Sequence, residues 1–227
     1  RACEYDLCET CFAASCSARC AQCAGPLDAA DARGCPGCAW YLCGACATSP
    51  ATNGYENQEV IIALATPKRK SAAELMLADP ATAAGVGPAR YFVSWFLGMA
   101  LADLLDALEL FLERSSGRDP DTTYFWVCDF AIDQNQLLKD KNPAELLPRV
   151  VGAIGHTVLL MEPWDAPLPL TRAYCILEVY HTQASGAMFE VVMSKKQQAA
   201  FERALEEDYA SIATKLSKVD VRNAVCR

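Results

Sequence analysis

The residues best suited to chemistry in this chain are its cysteines. There are thirteen in 227 residues; ten lie before residue 47, and only Cys128, Cys175 and Cys226 follow. Within the dense stretch the spacing is that of metal ligands: Cys20-x2-Cys23, Cys35-x2-Cys38 and Cys43-x2-Cys46. Each C-x2-C pair forms a tight knuckle that aims two thiolates at one point, and two knuckles complete the tetrahedral S4 shell that zinc prefers. A secreted disulfide scaffold has little use for paired knuckles in series, so zinc is the expected cofactor. A closed S4 site leaves no position open for reaction, so its role is structural. In a module this small the metal supplies much of the folding energy.

The cysteine stretch also repeats. Cys3-Glu4-Tyr5-Asp6-Leu7-Cys8-Glu9-Thr10-Cys11 matches Cys38-Ala39-Trp40-Tyr41-Leu42-Cys43-Gly44-Ala45-Cys46, and both read C-x-(aromatic or apolar)-x-L-C-x2-C. The expectation is a chain that starts in the second half of one unit, as a fragment of something longer, and holds one full unit after it. That full unit resembles ZZ-type fingers and divergent relatives of the diacylglycerol-binding cysteine-rich domain. The resemblance implies one cross-braced site made by Cys20, Cys23, Cys43 and Cys46. It leaves Cys35 and Cys38 as half of a second site, whose remaining ligands are commonly His. No His precedes residue 156, so Cys16, or Cys3, Cys8 or Cys11 of the truncated repeat, would have to complete it. The module is expected to present a surface to a protein or peptide partner.

The elements that must carry the rest of the chemistry follow the cysteines. With 52% hydrophobic residues, the chain has material for one medium core and a small satellite. We divide it into a truncated half-repeat at 1–19, a finger-like module at 20–47, a linker at 48–88 and an α/β domain at 89–227. The linker holds a short apolar run, Val60 to Leu64, readable as an extra strand or as tether. It also holds a short helix from Ser71 to Ala78, opened by a capping box of Ser71 and Glu74. Beyond it, strands are expected over 90–96, 123–132, 157–161 and 187–193. Helices are expected over 101–113, 144–154 and 171–182, with one long amphipathic helix over 195–217. Continuously apolar strands alternating with helices predict an open, flavodoxin-like parallel sheet covered on both faces. Ligands of such sheets bind beyond the carboxyl ends of the strands, which points to 95–99, 131–136 and 162–165.

Composition narrows the function. A net charge of −8 argues against a nucleic-acid partner, and Lys68-Arg69-Lys70 is read as a solvated stretch. No apolar run is long enough for a membrane span, and no charged start precedes an apolar stretch, so a cytoplasmic protein is expected. Gly152-Ala153-Ile154-Gly155 lies in a helix pattern and lacks a phosphate loop's ending. His156 and His181 read as helix-end or surface residues rather than a catalytic pair.

Three motifs in order then resemble one family. Tyr91-Phe92-Val93-Ser94, the segment Tyr124-Phe125-Trp126-Val127-Cys128-Asp129 through Gln134, and Leu170-Thr171-Arg172-Ala173-Tyr174-Cys175-Ile176-Leu177-Glu178 are similar to Toll/interleukin-1 receptor (TIR)-like domains. The stretch from Gly155 to Ala173 resembles the algal and protist type most. Glu178 matches the catalytic carboxylate of TIR domains that hydrolyse NAD, so the resemblance implies an NAD cleft lined by Ser94, Trp126, Trp164 and Glu178. Cys175, one turn from Glu178, is read as a buried, inert thiol. The chain departs from the pattern at Trp95 and Phe96, at Cys128 and at Tyr174. These departures make a signalling or protein-interaction module, self-associating through the TIR-like domain, the first functional reading. An NAD glycohydrolase using Glu178 is the alternative.

Overall fold

The computed structural model describes residues 32–34, 41–43, 53–65, 70–134 and 143–225. These belong to two compact units, one within Arg1–Gly87 and Asp129–Lys139, the other within Pro88–Cys128 and Asp140–Arg227.

The first unit contains an antiparallel pair, β1 (Ala32–Gly34) and β2 (Tyr41–Cys43), with Ala32 opposite Cys43 and Gly34 opposite Tyr41. Cys43 is the one expected zinc ligand on a described element. Cys3, Cys8, Cys11, Cys16, Cys20, Cys23, Cys35, Cys38 and Cys46 lie outside the described residues. The run Val60 to Leu64, expected as strand or tether, is the middle of helix α1 (Gly54–Ala65). A short apolar run carries no period of its own. Here the residues before it (Glu56, Gln58 and Glu59) are good helix formers, and Ile61 and Ala65, four apart, are both buried. Helix α2 (Ala72–Ala78) has the expected capping box: Ser71 Oγ accepts the Glu74 N–H at 3.2 Å, and Glu74 Oε2 accepts the Ser71 N–H at 2.8 Å. The segment after residue 128 joins this unit, where Gln58 Nε2 donates to Gln134 Oε1 at 2.8 Å.

The second unit runs β3 (Tyr91–Ser94), α3 (Leu101–Glu113), β4 (Phe125–Val127), a short α4 (Cys128–Ala131) at the boundary, α5 (Pro143–Ile154) and β5 (His156–Leu160). It continues through α6 (Ala173–Ser185), β6 (Met188–Val192), α7 (Lys195–Glu207) and α8 (Tyr209–Leu216). The four strands form one parallel sheet in the order β4-β3-β5-β6. The α/β architecture expected from the sequence is therefore present, and the strand order is compatible with flavodoxin-like winding.

Side chains alternate across β3 and meet helices on both faces. Tyr91 turns to Phe111 of α3, with ring centroids 4.9 Å apart. Phe92, fully buried, turns the other way, to Leu147 and Val151 of α5, and stacks on Trp126 at 4.8 Å. Helix α5 packs on β3 and β5, and α6 on β5, β6 and α5.

Two elements are shorter than expected. The strand predicted to reach Ile132 stops at Val127, and α4 follows with Asp129 in its first turn, where a carboxylate suits the helix dipole. The long helix over 195–217 breaks at Asp208, which ends α7 and caps α8 by accepting the Ser211 N–H at 3.1 Å. His156 is not a helix cap. It opens β5, edge-on to Tyr91 and 2.7 Å from Glu190. Among the described residues, no helix is long and apolar enough to cross a membrane.

Phe92→Ala should lower the unfolding free energy by about 3–5 kcal/mol in a denaturant titration, because it opens a cavity between sheet and α5. Asp208→Ala, which removes only a cap, should cost about 1 kcal/mol.

Candidate active site

Ser94 is the last residue of β3 and is fully buried. It lies opposite Leu159 of β5. The alternation that sends Phe92 toward α5 puts Ser94 on that same face. There it meets α6, whose Cys175 and Glu178 stand one turn apart. Ser94 Oγ donates to Glu178 Oε2 at 2.5 Å. The Cys175 thiol, also buried, donates to the Trp95 carbonyl at 3.5 Å. One turn further, Thr182 Oγ1 donates to the Glu178 carbonyl at 2.7 Å and lies 2.8 Å from Thr157 Oγ1 of β5. A hydroxyl has one proton, so Thr157 is the donor to Thr182. Residues 175, 178 and 182 thus tie one face of α6 to the ends and middle of two central strands.

The electrostatics follow from this burial. Glu178 is pushed up to about 7, chiefly by loss of water, while the Ser94 hydrogen bond and the positive charge of Arg172 hold it lower than burial alone would. The Cys175 thiol is pushed up to about 12, first by burial and then by the Glu178 charge. Cys175 is thus a packing residue, with almost no thiolate at neutral pH.

Arg172 precedes α6. Its N–H donates to the Pro169 carbonyl at 3.1 Å, and its flanking backbone is pinned by Val225: the Val225 N–H donates to the Thr171 carbonyl at 2.9 Å, and the Ala173 N–H to the Val225 carbonyl at 3.1 Å. The guanidinium sits 6.0 Å from the centres of both the Phe96 and Tyr174 rings.

Of the four residues expected to line one cleft, Ser94 and Glu178 are in contact. Trp126 stacks on Phe92 in the cluster beneath α5. Trp164 is held against Phe201 of α7, with Lys215 Nζ of α8 4.6 Å from its ring centre. Another carboxylate, Glu162, is buried and accepts the Ser194 N–H at 2.5 Å, and so joins the end of β5 to the start of α7. Burial raises it too. Arg172 and Phe96 were not singled out from the sequence as site residues, although both fall in segments that were. The available signal was a cation six residues ahead of the motif Glu, just outside the helix. Among the described residues, no group of three or more His, Cys, Asp or Glu could hold a metal ion.

Two outcomes test this geometry. Cys175 should resist alkylation in the native protein at about pH 8 and react on unfolding, as read by mass spectrometry of the modified peptides. A carboxyl group raised on folding binds more protons folded than unfolded between its two pKa values, so its contribution to stability falls as pH rises from about 4.5 through about 7. Glu178→Gln should therefore gain roughly 1–3 kcal/mol over the wild type at about pH 8 and little at about pH 4, as read by chemical denaturation.

Against known proteins, no family model, no curated protein and no solved structure matches the chain.

Proposed function

We propose that the second unit is a TIR-like domain that hydrolyses the nicotinamide–ribose bond of NAD, with Glu178 as its catalytic carboxylate. The observation that carries this reading is the contact between Ser94 and Glu178 at the carboxyl end of the central strand. The two residues are 84 positions apart in sequence, and both belong to motifs on which the resemblance rests. They meet where β3 and β5 diverge to opposite sides of the winding, the usual ligand position in sheets of this order.

The chemistry suits the pair. When the C1′–N1 bond breaks, its electron pair passes to the nicotinamide ring, which leaves neutral, and positive charge builds on the ribose as an oxocarbenium-like state. A carboxylate at low dielectric stabilises that charge far better than one in water. Ser94 binds Oε2, and in this reading Oε1 takes the ribose hydroxyls. Water then attacks C1′, and a carboxylate poised near neutrality can take the proton it releases. The Ser94–Glu178 contact joins two motif residues at the carboxyl end of a central strand, and this favours the hydrolytic reading over the interaction-module reading. The cysteine module is proposed to hold zinc through Cys20, Cys23, Cys43 and Cys46 and to present a surface to a protein partner.

Incubation with NAD at high concentration should release nicotinamide. Glu178→Ala should reduce the rate by at least about 100-fold, and the wild-type rate should rise with pH up to about 7 as the carboxyl ionises. Absence of release, or release unaffected by the substitution, would overturn the reading in favour of a scaffold. For the zinc module, metal analysis of protein purified under reducing conditions should find zinc that is lost in Cys20→Ser; a zinc-free chain would sink that part.

A further inference from the structure

The Ser94–Glu178 pair has a charged neighbour whose role the hydrolytic chemistry does not use. Arg172 lies close enough that its charge acts on both Glu178 and Cys175. It is half-buried, and its guanidinium lies 6.0 Å from the centre of each of the Phe96 and Tyr174 rings. Its backbone is fixed from two directions, by the turn Leu168–Thr171 that precedes it and by the strand-like pairing with Val225. A long cationic side chain thus stands near two aromatic rings with its backbone anchored, which lowers the entropy lost when it takes a ligand.

The charge of the rest of the protein favours such a residue. The chain carries a net charge of −8, and an ionised Glu178 adds local repulsion for any anionic substrate. A dinucleotide brings two phosphates into this field. Arginine presents a planar fork that matches a phosphate oxygen pair, and burial strengthens that bond.

We propose that Arg172 is the phosphate-binding residue of the Ser94–Glu178 site, taking the pyrophosphate of a dinucleotide while Glu178 takes the ribose. This deepens the hydrolytic reading and rests on it for the identity of the substrate. It makes Arg172 a determinant of specificity: phosphate-bearing substrates depend on it, and nucleosides do not.

The test measures binding rather than turnover, so that it stands apart from the question of hydrolysis. ADP-ribose, which carries the pyrophosphate, and nicotinamide riboside, which carries none, are titrated calorimetrically into wild type, Arg172→Gln and Arg172→Lys. Titrations are run at about pH 8.5, above the wild-type Glu178 value of about 7. Arg172→Gln should weaken ADP-ribose about 10–100-fold and alter nicotinamide riboside less than about threefold. Arg172→Lys, which keeps the charge and loses the fork, should fall between, and its binding of the riboside reports that the site is still folded. Equal weakening of both ligands, unchanged binding of ADP-ribose in Arg172→Gln, or no binding of ADP-ribose to wild type would each overturn the proposal. Arg172-dependent binding of ADP-ribose without nicotinamide release would leave this inference standing and remove the hydrolytic one. Release with an Arg172-independent affinity would do the reverse.

Discussion

Strand β3 is hydrogen-bonded on both sides, to β4 and β5, and packed on both faces. That position fixes its direction and register, and so fixes where its last side chain goes. With Phe92 committed to the α5 face by its stacking on Trp126 and its packing on Val151, Ser94 can only emerge on the same face, beneath α6. A one-residue slip would send Ser94 to the α3 side and bury Glu178 with no donor. The Ser94–Glu178 contact is therefore a consequence of core packing two residues away. The strand order then puts that contact at the point where ligands of such sheets are bound.

Helix α6 is held in matching fashion. The thiol of Cys175, the carboxyl of Glu178 and the hydroxyl of Thr182 each reach a partner on or just beyond the central strands, while Val225 fixes the residues ahead of the helix. Polar groups buried this way cost stability unless satisfied, and each bond specifies the helix's rotation. Burial works against the charged forms of both Cys175 and Glu178, and Glu178 is the one brought near neutrality. Rigid surroundings that hold a strained ionisation state are characteristic of functional sites.

Much of this was legible in the sequence. Alternating apolar strands and amphipathic helices gave the parallel α/β sheet, and the Ser71/Glu74 spacing gave its capping box. What failed did so for identifiable reasons. Val60 to Leu64 is a short apolar run whose period does not distinguish strand from helix, and its polar neighbours decided for helix. The break at Asp208 needed an Asp to be read as a cap inside an otherwise continuous amphipathic pattern. Trp126 and Trp164 read from the sequence as cleft residues, and the contacts of their rings are with Phe92 for the first and with Phe201 and Lys215 for the second. Resemblance transfers a motif without saying which neighbour claims each ring. Arg172 escaped notice because its role depends on Phe96, Tyr174 and Val225, which meet only in the folded chain.

The site depends on Glu178 being a desolvated carboxyl held by Ser94. Its titration, followed through the carboxyl carbon resonance of glutamate-labelled protein in the wild type and in Ser94→Ala, tests this directly. The midpoint should lie near 7 in the wild type and move higher without the serine, since the lost hydrogen bond favours the charged form. A midpoint near the ordinary value of about 4.5, unmoved in Ser94→Ala, would contradict the account.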